Sequence, residues 1–346
     1  MKQTAIIFLL ITLLLAAVVC SACSGAVSIS GRELLAIICY KMGGEAVGFE
    51  PQQEAVFWII RLPRVLLGVL VGASLAIAGA SMQGLFRNPL ADPGLIGVSA
   101  GASLFAVVMI VLEVKFFTTL SGILGFYALS VFAFVGAALT TLIVYQLSKT
   151  GGKAIVTTML LAGIAINALA GALTGLLTYT ATDAQLRSIV FWGLGSLGGA
   201  SWESVAVVAP FVLLPLIALL RLSKALNALS LGESEANYLG INVQSLKRQV
   251  IFWTTMAVGA SVAVAGTIGF IGLVIPHLLR LFAGADHKLI LPASALLGAA
   301  VLTASDLISR TAVAPSELPI GIITAILGTP FFLWILIKEK RRMTVL

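Results

Sequence analysis

The chain has 346 residues, 60% of them hydrophobic and only 10% charged, with a formal net charge of +7. A water-soluble domain carries about 25% charged residues, so this composition excludes an ordinary soluble globular protein and makes lipid the solvent for much of the surface. Three cysteines and two histidines are too few for a disulfide framework or a histidine-rich metal centre.

Inside a bilayer every backbone N–H and C=O must bond within the protein, which leaves helices or a closed barrel. The apolar runs here are unbroken rather than alternating, so the expected fold is all-α, a polytopic membrane protein. A span needs roughly 17–25 residues without charge. The first such run, residues 4–22, follows Lys2 and has the look of a signal peptide, but the topology requires it as a retained first helix. Cys20 and Cys23 lie in or just beyond it at C-x-x-C spacing with no second pair, so they read as helix residues. The later runs are 65–85, 95–112, 122–147, 154–178, 205–220, 250–267, 268–282, 289–308 and 320–337, about ten spans in all. Glu113 and Lys115 close the third, Lys149 the fourth, and Lys338, Lys340, Arg341 and Arg342 the tenth.

An even number of spans puts both termini on one side. With that side taken as the cytoplasm, it holds Lys2, Arg87, Lys149, Lys153, Arg221, Lys224, Lys247, Arg248, Arg280, Lys288 and the C-terminal cluster. Arg32, Lys41, Arg61, Arg64, Lys115, Arg187 and Arg310 fall outside, so the inner side carries twice the basic charge. That bias favours cytoplasmic termini, and it makes the basic balance a membrane-face property rather than a nucleic-acid signal.

Residues 71–79 read VGASLAIAG and residues 258–266 read VGASVAVAG. The copies fall on the second and seventh spans, which cross in opposite directions, the mark of an inverted-topology repeat in transporters. Gly68 with Gly72, and Gly171 with Gly175, have the small-xxx-small spacing that lets helix backbones approach. No phosphate-binding G-x-x-x-x-G-K-[ST] and no H-E-x-x-H occurs. Asp306 and Glu113 sit at span ends, and no acid lies in the middle of a span. A secondary carrier needs a coupling-ion site there, and a membrane enzyme needs a catalytic cluster at one face; neither is visible. The energy source is therefore expected on another polypeptide. The chief hydrophilic interruption, 223–248, reads as a short helix, a turn at Gly240 and a second short element, a knob for a cytoplasmic partner.

Four motifs and this knob resemble the permease family that imports iron siderophores, haem and cobalamin, the membrane subunit of type II ABC importers. They are RLPR at 61–64, RNPLADPG at 87–94, GFIGLVIPH at 269–277, ELPIG at 317–321 and, in the knob, GESEANYLG at 232–240. The resemblance runs in order along almost the whole chain, which is then one transmembrane permease domain, 1–346, with 223–248 as its cytoplasmic coupling loop. It implies a cobalamin-importer-permease-like homodimer in a bacterial cytoplasmic (inner) membrane, with two ATP-binding cassette subunits inside and a substrate-binding protein outside. ATP and magnesium are then held by the partner subunits; this chain binds no cofactor or metal and has no catalytic residue. By the same resemblance Arg61, Arg64 and Arg310 receive the binding protein. Glu233, Glu235, Ala236 and Gly240 couple to the ATPase. Asn88, Leu90, Thr157 and Thr158 line the cytoplasmic gate. LRSIVFWGLGSLGG at 186–199 is similar to haem-type members, so haem is the favoured cargo, with ferric siderophores and cobalamin as the alternatives.

Overall fold

The apolar runs fold into helices that zigzag between two faces. This computed structural model describes residues 2–45, 47–113 and 124–343. In chain order the helices are α1 (Lys2–Cys23), α2 (Gly31–Lys41), α3 (Pro51–Phe86), α4 (Val98–Leu112), α5 (Ala128–Leu147), α6 (Val156–Tyr179) and α7 (Asp183–Leu194). They continue as α8 (Trp202–Arg221), α9 (Ser223–Leu231), α10 (Glu233–Tyr238), α11 (Val243–Ala265), α12 (Ile271–Ala283), α13 (His287–Thr311) and α14 (Ile320–Met343). A small antiparallel hairpin, β1 (Lys149–Thr150) and β2 (Lys153–Ala154), joins α5 to α6, pairing Lys149 with Ala154 and Thr150 with Lys153.

Among the described residues, α1, α3, α5, α6, α8, α11 and α13 are long and apolar enough to cross a membrane, and α4, α12 and the Ile320–Trp334 part of α14 are shorter apolar helices. These ten correspond one to one with the expected spans. The short helices α2 and α7 lie at one face, which also carries Arg61 and Arg310 and is called here the arginine face. The α9–α10 pair and the β-hairpin lie at the other, the hairpin face. Lys115 and the start of the expected fourth span lie outside the described residues.

The breaks follow local chemistry. Arg87 adopts φ 50° and closes α3, and Gly97 at φ 89° opens α4. Asp92 caps a 3-10 turn, Pro93–Ile96, through Gly94. Gly266 and Phe270, both at φ 69°, separate α11 from α12, which the hydropathy pattern nearly fuses. Helix α3 starts at Pro51 rather than after Arg64, passing a π-helical turn at Val56–Arg61. Its arginines do not end it because both find partners inside the protein. Likewise α11 begins at Val243, where Asn242 caps it by accepting from the Ser245 amide, so the expected second element after Gly240 is simply its first turns.

The repeat is visible in the packing. Ser74 on α3 and Ser261 on α11, 187 residues apart, hydrogen-bond through their hydroxyls at 3.0 Å. They are the same position in the two copies, so the local two-fold passes between them. Around it Gly72 lies against the backbone of Gly298 on α13, while the matching Gly259 lies against Ala137 and Phe134 on α5. Gly79 meets the backbone of Gly272 on α12 as closely. At Gly72 and Gly79 the contact needs glycine because a Cβ would fall on a carbonyl, whereas at Gly259 a Cβ would meet only side-chain carbons at 3.3 Å. Gly171 and Gly175 on α6 face open space instead.

Candidate functional site

At the arginine face three guanidinium groups gather around the end of α1. Arg61, 4% exposed, donates to the carbonyls of Ala22 (2.7 Å), Cys23 (2.9 Å) and Val27. Arg310 donates to Ser24 O (2.7 Å), Ser21 Oγ (2.9 Å) and Ser21 O. Both therefore satisfy carbonyls that the helix end leaves open. Gly25 fits between them, since a Cβ there would stand 2.8 Å from Arg61 Nη2 and 3.0 Å from Arg310 Nη1. Arg64 is buried and doubly paired. Its Nε and Nη2 donate to Asp306 at 2.9–3.0 Å, and Nη1 and Nη2 to Glu317 at 2.7 and 2.9 Å. Arg64 holds the Glu317 carboxyl below the usual carboxylate range. A cavity of about 470 Å³ opens here, with Arg61, Arg64, Arg310 and Glu317 in its wall. Three guanidinium groups against two carboxylates leave it with an excess of positive charge.

At the hairpin face α9 seats itself with Leu226 and Leu229, both buried. Gly232 at φ 142° turns the chain into α10, whose Ala236 is fully buried. Gly240, at φ 82°, ends the unit, and the Ile241 amide reaches back to Ala236 O at 3.0 Å. The remaining side is open: Glu235 and Gly240 are exposed, and so are Leu231, Tyr238 and Leu239, with Tyr238 92% exposed. Apolar side chains this bare at the end of a membrane bundle are a docking feature. Glu233 instead turns inward, its carboxylate 2.8 Å from the buried ammonium of Lys247.

The sequence profile of the FecCD transport family matches residues 13–338. The chain belongs to that family. It is 47% identical over 286 residues to the hemin transport system permease protein HmuU of Yersinia pestis, covering 82% of this chain and 84% of that protein. It is 42% identical over 294 residues to the vitamin B12 import system permease protein BtuC of an Escherichia coli strain, covering 85% and 87%. Its fold superposes with a TM-score of 0.84 on a structure assigned to a metal-chelate type ABC transporter in an inward-facing conformation, at 34% identity, over 97% of this chain and 99% of that one. The chain is thus a multi-pass ABC importer permease, and membership implies ATPase and substrate-binding partners.

In this FecCD permease the loop after α3 carries Asn88, whose Oδ1 accepts from Leu90 N at 2.9 Å to hold an exposed turn. The chain then dips inward. Leu95 O lies against Gly163 of α6, and Asn167 Nδ2 donates to Gly94 O at 2.9 Å. Thr157 and Thr158 sit in the first turn of α6, with Thr157 exposed. Three features escaped sequence reading. Asp92 is half-buried beside Gly272 in the first turn of α12, and loss of solvent pushes its carboxyl up. Arg64 has its carboxylates on distant segments. Lys247, which hydropathy assigns to a solvated loop, is 2% exposed. Only the Lys247–Arg248 pair just ahead of an apolar run hinted at the last.

Proposed function

We propose that this permease carries haem into the cytoplasm as a homodimer, driven by two ATPase subunits on its hairpin face and supplied by a binding protein on its arginine face. The observation that carries the haem assignment is the closer identity to the hemin permease, 47%, than to the vitamin B12 permease, 42%. Supporting the orientation, Arg87, Lys149, Lys153, Arg221, Lys224, Arg248 and Lys288 all belong to the hairpin face. Supporting the homodimer, α6 exposes Leu161, Ile164, Leu169, Leu173 and Leu176 along its length, with Gly171 and Gly175 among them. A second copy, with the path between the two α6 helices, accounts for that surface. Asn88, Leu90, Thr157 and Thr158 then stand at its cytoplasmic mouth. The deciding experiment is uptake by the reconstituted complex, with and without ATP, of haem, a ferric siderophore and cobalamin. ATP-dependent haem uptake should be fastest; faster cobalamin uptake rejects the haem assignment. In a cysteine-free background, Thr157→Cys followed by a bulky thiol reagent should block uptake, and free passage afterwards removes Thr157 from the gate.

The arginine cluster is the proposed seat of the binding protein. The cavity's surplus positive charge suits an incoming carboxylate, and Arg61 has no acidic partner of its own among the described residues. Reversing Arg61 and Arg310 to glutamate should weaken binding-protein affinity about tenfold or more at low salt. The difference should shrink as ionic strength rises. Affinity unchanged at low salt removes these residues from the docking surface.

A further inference from the structure

Between the α9–α10 pair and α6 lies one buried charged side chain that no part of the transport reading uses. The Lys247 ammonium is held in the first turns of α11. It donates to Glu233 Oε2 on α10 at 2.9 Å, with Oε1 at 2.8 Å, and to the carbonyl of Ala154 at 2.9 Å. Ala154 is the last residue of β2, separated only by the capping Ile155 from the first turn of α6. The amide of Ala154 is gripped as well, donating to Gln244 Oε1 at 2.9 Å. Gln244 and Lys247 stand three residues apart on one face of α11, so a single helix turn holds both backbone groups of the residue leading into α6.

We infer that Lys247 is a positioning residue that ties the first residue of α10 to the start of α6, so that displacement of the α9–α10 pair is delivered to the helix proposed to gate the path. This rests on the coupling and gate assignments proposed above. Three properties carry it. A buried ammonium is costly unless both its charge and its donors are answered, and here a carboxylate and a carbonyl from two different elements answer it. Losing the carboxylate would leave the buried charge unpaired and losing the carbonyl would leave a buried donor unmet, so separating α10 from β2 carries a penalty. A second link, Gln244 to Ala154, joins α11 to β2 and holds the other backbone group of the same residue. A methionine of similar volume would fill the space and make neither bond.

The test uses the full reconstituted complex with its ATPase subunits and binding protein. Lys247→Met should lower the amount of cargo imported per ATP hydrolysed by more than tenfold while the ATPase subunits still co-purify and hydrolyse ATP. Lys247→Arg, which keeps the charge and several donors, should restore most of that ratio. In a cysteine-free protein carrying Thr157→Cys, the thiol-labelling rate should change on adding ATP, and Lys247→Met should abolish the change. If Lys247→Met does not assemble, Gln244→Met decides. It removes an uncharged link and should lower the ratio about threefold. A wild-type ratio in whichever of these two methionine variants assembles, even with reduced yield or thermal stability, overturns the inference and leaves Lys247 a packing residue. The underlying coupling assignment is judged separately through Gly240. Loss of uptake in Gly240→Leu with a normal ratio in Lys247→Met rejects only the lysine link, whereas normal uptake in Gly240→Leu rejects the coupling surface itself.

Discussion

Replacing Arg64 with methionine should destabilise the subunit by about 3–5 kcal/mol, the cost of breaking a buried ion pair from one side. Asp306 is 2% exposed. Without Arg64 its remaining cationic neighbour is Arg310, whose Nε stands 3.6 Å away, beyond hydrogen-bonding distance. Methionine fills the volume and leaves the carboxylate stranded between α3 and α13. Thermal unfolding of the detergent-purified protein is the direct measurement. The double variant Arg64→Met with Asp306→Asn should recover most of the loss, because the penalty comes from the orphaned charge and not from the missing attraction. A single variant as stable as the parent rejects the claim that this pair fastens α3 to α13. Glu317 adds a pH signature. Arg64 depresses its carboxyl, so the pair contributes stability above the ordinary glutamate range and loses it as the pH falls through the lower folded value. In Arg64→Met that acid-side loss should shrink, since only the weaker pull of the Arg310 charge remains to favour the ionised form.

The same arginine shows where sequence reading succeeds and where it stops. That Arg64 lies at one rim of the bundle is legible, because a charge beside a long apolar run can only sit near an interface. That it is buried is not, because its partner Asp306 lies 242 residues away and nothing local announces the pairing. The spans were legible for a physical reason: run length and bilayer thickness are one constraint. The repeat was legible because small residues recur at matching positions where helices pack closely, Gly72 against the Gly298 backbone and Ser74 against Ser261. Helices α2 and α7 were not anticipated. Each is short and mixed in polarity, and is set by a capping box, Ser30 with Glu33 and Thr182 with Gln185, a four-residue signal easily lost among hydropathy runs. Gly240 is legible as a terminator. The break at Gly232 is not, because its flanking residues favour helix on both sides.

Gly240 also gives the sharpest test of the hairpin. Within the subunit a Cβ added there meets nothing within 4 Å, so bulk alone costs the isolated chain nothing. The backbone at φ 82° does resist a side chain, by about 1–2 kcal/mol. Gly240→Ala and Gly240→Leu should thus be destabilised by nearly equal, small amounts in thermal unfolding. They should part company in the complex. Leucine projects from the surface that bears Tyr238 and Leu239, into the space an ATPase subunit must occupy if it docks there. Uptake by Gly240→Leu should fall more than tenfold while the permease still folds and purifies, and Gly240→Ala should keep most of its activity. Equal losses in both variants assign the effect to the left-handed backbone rather than to contact. Wild-type uptake in Gly240→Leu means that no partner approaches this turn, and the hairpin face must then be engaged elsewhere.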